Sequence, residues 1–154
     1  MTALKSAAAA AVMAALLASA PVLAEDDAPE TLDAQELVDE LDDDPVCVAA
    51  QNEGITADII NCTGKKTEAA ERALNFNYKA AMKALDDAGK KELKAFQLQW
   101  VKDRKKYSDQ QALLAWGGSM SSIFVSSAFL DWTIDRAAQL AAIAEEPEAP
   151  AVVR

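Results

Sequence analysis

The side chains best equipped for chemistry in this chain are polar groups set into helical apolar patterns. Gln97, Trp100 and Arg104 stand three and four residues apart, so a helix places them on one face. Asn75 and Tyr78 form a similar pair upstream, and Thr133 and Arg136 a third downstream. Such groups serve in one of two ways. They bond across helix interfaces and fix register, or they line a site for a ligand or partner, since buried polar groups must be paired with something.

Catalysis has little to work with. The chain has no histidine, which removes Ser-His-Asp and Cys-His nucleophile systems, imidazole general bases and histidine metal sites together. Asp103, Asp131 and Asp135 have basic neighbours and read as solvated or ion-paired carboxylates. Asp42-Asp43-Asp44-Pro45 lacks the glycine turn and ordered spacing of a calcium-binding loop. No enzyme activity, cofactor or metal site is expected.

Charge is unevenly placed. Between Glu25 and Pro45 stand eleven acidic residues and no basic one, whereas residues 46–154 hold fourteen of each sign. Such a run repels itself and reads as a disordered, solvated arm over 25–45, although Leu32, Leu37, Val38 and Leu41 allow a short helix if something covers them. Nucleic acid is an unsuitable partner for this balance.

The elements that position these residues are helical. Alanine, leucine, lysine and glutamate are abundant and glycine scarce, which favours an all-α domain. Thr56 reads as the N-cap of a first long helix running to about Asp87, with Leu74, Tyr78, Ala81 and Leu85 as its buried stripe and a break at Ala88-Gly89. A second helix starts near Lys90 and reaches Trp116, before Gly117-Gly118. Its lysines 91, 94, 102, 105 and 106 form a wet outer face. The third follows Ser119 and fades by Glu146, because Pro147 and Pro150 cannot continue it. Three helices with short connections predict an antiparallel up-down-up bundle over 46–146, followed by a disordered tail over 147–154.

Residues 1–24 read as a secretory signal peptide: Lys5, an apolar run from Ser6 to Ala20, then Val22-Leu23-Ala24 as a cleavage site. The run is shorter than the roughly 20 residues that span a bilayer, so no stable membrane insertion is expected after cleavage. An oxidising destination suits Cys47 and Cys62, which read as a disulfide tethering the segment after the arm to the first long helix. Closing a loop of about 16 residues stabilises a fold by roughly 3 kcal/mol on the chain-entropy model.

Cys47, Cys62, Leu74-Asn75-x-x-Tyr78, Gln97-x-x-Trp100-x-x-x-Arg104, the Gly117-Gly118-Ser119 turn and Thr133-x-x-Arg136-x-x-x-Leu140, taken in order, resemble the lysozyme inhibitor LprI-like domain of bacterial exported proteins over about residues 47–145. The resemblance makes Asn75, Tyr78, Gln97, Trp100, Arg104, Thr133 and Arg136 a family polar face. Members often carry a second cysteine pair, whose places fall here on Ser108 and Ala128, leaving the second and third helices held by packing alone. The resemblance implies a periplasmic or secreted module that inhibits a basic cell-wall hydrolase such as lysozyme by protein contact. The acidic arm would speed that encounter. The alternative is a non-inhibitory helical envelope protein with a structural, adaptor or chaperone-like role.

Overall fold

The computed structural model describes residues 30–148. The signal peptide expected over 1–24, the first residues of the arm and most of the tail expected over 147–154 lie outside them. Five α-helices and two 3-10 turns account for the described fold, with no strand among the described residues. Helix α1 is Ala34–Asp39, α2 Pro45–Glu53, α3 Thr56–Ala84, α4 Asp87–Gln111 and α5 Ser119–Glu145.

The chain between Leu85 and Gly89 departs from the expected break. Leu85 and Asp86 are extended, with ψ of 154° and 177°, so α3 ends at Ala84. The Asp86 carboxylate then accepts from the Gly89 N–H at 2.7 Å, and Gly89 lies inside the first turn of α4. A side-chain cap that satisfies an orphan amide outweighs the local cost of one glycine in the turn. At the other end of α3, Ile55 occupies the cap position without a side-chain bond, and Thr56 is the first helical residue. Helix α3 continues through Gly64.

Helices α3 and α5 form the most extensive contact. Ile60 and Gly64 share a groove with Ser122 and Ser126, and Asn77 bonds Ala137, so the two helices run in the same direction. Helix α4 runs back between them in sequence: Gln97 meets Arg136, Arg104 meets Thr133, and the Ala112 carbonyl accepts from Ser121. Ala69, Ala70, Ala73, Ala81 and Ala137 are fully buried, and such small side chains let the two helix backbones approach closely.

The acidic segment is a correction to expectation. Residues 30–44 are ordered, and α1 packs on α3 and α5. Ala34 and Val38 are core residues, with Leu32, Leu37 and Leu41 packed against the same cluster. The cover those leucines need is the protein's own bundle, and apolar burial there outweighs self-repulsion among exposed carboxylates. Asp33 caps α1 through two backbone amides. Asp42 pairs with Lys66 at 2.5 Å and Asp44 with Lys65 at 2.8 Å, which fastens the end of the segment to α3.

Cys47 and Cys62 are bridged, with Cα atoms 4.8 Å apart, and join α2 to α3. Asp44 accepts from the Val46 N–H at the start of α2, while Gly54, at φ 65°, ends it in the left-handed region that glycine adopts without strain.

Docking of the acidic segment predicts that Val38→Ala destabilises the fold by about 2 kcal/mol. Urea denaturation measures this directly, and an unchanged midpoint would mean that α1 does not contribute to the core.

Candidate functional site

The polar residues singled out in sequence divide into an internal network and an exposed rim. Arg104, on α4, reaches across both neighbouring helices. Its Nη1 donates to Glu71 Oε1 on α3 at 3.0 Å and to Thr133 Oγ1 on α5 at 2.9 Å. Thr133 accepts that bond because its own hydroxyl donates to the Phe129 carbonyl at 2.6 Å. The guanidinium lies 3.9 Å from the Phe129 ring centroid and 4.8 Å from that of Trp100. Its Nε is buried without a hydrogen-bond partner. A desolvated guanidinium between two aromatic rings gains cation–π attraction in place of part of its lost hydration.

Arg136 extends the network along α5. Its Nε donates to Gln97 Oε1 on α4 at 2.9 Å and its Nη1 to Gln139 Oε1 at 2.9 Å. Burial lowers its pKa, but a guanidinium titrates so far above neutral that it keeps its charge. Tyr107 and Trp132 stack with centroids 4.7 Å apart. Helices α4 and α5 are therefore not held by packing alone, since the Arg104–Thr133 and Arg136–Gln97 hydrogen bonds also join them. Ser108, at one of the two family cysteine places, is buried and donates to the Arg104 carbonyl.

Asn75 behaves differently. It is exposed and stands with Tyr78, Gln97, Trp100 and Lys94 around a cleft of about 340 Å³ between α3 and α4. The buried asparagine of α3 is Asn77, which sequence reasoning missed. Its Oδ1 accepts from the Leu32 N–H at 2.8 Å, and its Nδ2 donates to the Leu32 and Ala137 carbonyls at 2.8 and 2.9 Å. One amide thus joins the acidic segment, α3 and α5. The signal was present in the spacing: Asn77 lies on the stripe of Ala70, Ala73, Leu74 and Ala81.

Among the described residues no group of three or more carboxylates or cysteines is placed to hold a metal ion. Asp131 has its pKa raised, first by partial burial and then by the nearby Asp135. Asp44 lies below its ordinary value because the Lys65 ammonium and the Val46 amide stabilise its charged form.

The described residues thus form an all-α bundle tethered by one disulfide, with arginines bridging its helices. Residues 47–140 match the family model described as lysozyme inhibitor LprI, and the chain belongs to that family. No curated protein and no solved structure matched the chain.

Two measurements check this geometry. Asn77→Ala leaves the Leu32 amide and two carbonyls without their partner and is expected to cost about 2–3 kcal/mol in chemical denaturation. A loss below about 0.5 kcal/mol would remove Asn77 from the buried network. Asp44 tests the electrostatics. Its folded pKa is depressed from 3.8, so its contribution is present above that value and is lost as pH falls through the folded pKa. Asn caps a helix about as well as Asp, so Asp44→Asn isolates the charge. Wild type is expected to be the more stable at neutral pH, with the two denaturation midpoints converging at the acid end. A constant gap at every pH would contradict this.

Proposed function

We propose that the chain is an exported periplasmic module that inhibits a basic cell-wall hydrolase by protein–protein contact. Membership of the LprI family supports an inhibitor-like module. The leader-like composition of residues 1–24 supports export, and no described helix is long and apolar enough to cross a membrane.

The observation that carries the reading is the ordered acidic ridge. Asp33, Glu36, Asp39, Glu40 and Asp43 are exposed along α1 and the turn after it, with Asp42 among them paired to Lys66 of α3. A basic protein approaching this side meets a concentrated negative field, which raises its association rate. Because α1 is docked, binding does not have to order the segment first, which removes an entropic cost. The remaining requirement of an inhibitor is a surface that blocks access to substrate, and the ridge supplies encounter rather than blockade.

The test measures lysis of a cell-wall suspension by a basic C-type lysozyme with and without the protein, together with association rates at two salt concentrations. Inhibition is expected. Converting Glu36, Glu40 and Asp43 to their amides is expected to slow association by about tenfold at low salt. The difference should shrink at high salt, where the screening length falls to a few ångströms, about 3 Å at 1 M. No binding and no inhibition would favour the non-inhibitory adaptor reading.

A further inference from the structure

We propose that the turn between α4 and α5, with Trp116 at its apex, is the element that enters and blocks the substrate cleft of the target hydrolase. This rests on the reading of the chain as an inhibitor of a basic glycan hydrolase.

The turn belongs to the longest uncharged stretch of the described chain. From Gln110 to Leu130 there is no charged residue, in a sequence that is 26% charged. Within it, Leu113, Leu114 and Trp116 are 79%, 64% and 98% exposed. Contiguous exposed apolar side chains of this size mark an interaction surface.

The backbone supplies a second, independent observation. Trp116 has φ 53°, and Gly117 and Gly118 follow at 89° and 79°. Glycine adopts this region freely, whereas a bulky side chain there is an outlier that packing ordinarily offsets. The left-handed backbone closes the preceding 3-10 turn through the Trp116 N–H to the Leu113 carbonyl, a role glycine would fill without strain, while the indole is almost wholly in solvent and packs on nothing. The turn needs the left-handed cap but not the indole, and a bulky side chain kept at such a position without packing points to a use outside the fold.

Charge selects the occupant. Glycan hydrolases commonly hold two carboxylates across the scissile bond, about 5–9.5 Å apart. The acidic ridge that attracts a basic enzyme would meet like charge in that cleft and is unsuited to fill it. An uncharged convex turn carrying an indole avoids that repulsion. Tryptophan also gives a large, rigid contact area, as in the anchors of protein interfaces. The ridge therefore governs encounter and the turn governs residence. A second copy of the chain is the competing occupant, because an apolar groove of about 530 Å³ lined by Ile60, Val125 and Phe129 adjoins the turn. The shared charge of −10 opposes that association.

The test uses the full chain with a basic C-type lysozyme and compares wild type, Trp116→Gly and the ridge amide variant. Trp116→Gly is expected to keep or raise the melting temperature and to leave the association rate within about twofold. Its dissociation rate and inhibition constant should rise by at least about tenfold. If Trp116→Gly inhibits as well as wild type while the ridge variant still binds more slowly, the inhibitor reading stands and the turn is not the blocking element. If wild type inhibits no lysozyme, both fall. A marked drop in melting temperature for Trp116→Gly would assign the indole to the fold and overturn the proposal. So would a concentration-dependent dimer in sedimentation that the variant abolishes, since a second copy would then be the occupant.

Discussion

Alanine is the constraint on which this structure depends. Among the described residues, eight of the fifteen buried apolar side chains are alanine, concentrated where α3 faces α5. Each brings little apolar area out of water, so close backbone approach replaces the interlocking of large side chains that usually fixes a helix pair. A smooth interface of that kind specifies register weakly. Directional bonds then carry the specification: Asn77 ties the acidic segment and α5 to α3, and Arg104 ties α4 to both long neighbours. Burying these groups costs more when the bonds they make here are lost, which penalises any shifted register.

Helix α4 shows the consequence most clearly. Only Leu93 and Ser108 are buried on it, while Phe96, Leu98 and Val101 are exposed. Its attachment relies on Gln97, Arg104 and Tyr107 meeting Arg136, Thr133, Phe129 and Trp132, with Trp100 against Arg104 on the same helix. Family residues that look like a ligand site in sequence are thus mostly internal fasteners, and Asn75, on the cleft rim, is the member left exposed.

Much of this was legible in the sequence and some was not, for physical reasons. The long helices followed from apolar periodicity, and Cys47–Cys62 from the pairing expected of two cysteines behind a leader-like segment. Gly89 misled because glycine is a strong breaker by composition, while the competing signal, Asp86 as a cap, acts through one hydrogen bond whose geometry sequence does not display. The acidic segment misled for a related reason. Net charge describes an isolated peptide, whereas Leu32, Leu37 and Val38 found apolar cover on helices distant in sequence. Trp116 was placed at the end of the second helix, but its full exposure and left-handed backbone are properties of the turn and not of any periodicity.

The proposed function depends on how the fasteners hold the surfaces. A bundle fixed by directional bonds presents the acidic ridge and the uncharged turn as two preorganised regions on one scaffold, the first suited to attraction over distance and the second to contact. Hydrogen exchange of the full chain with and without a basic C-type lysozyme tests this account most directly. Added protection is predicted over residues 33–43 and 112–124, with little change along the lysine face of α4. Protection confined to α4, or none at saturating enzyme, would contradict it.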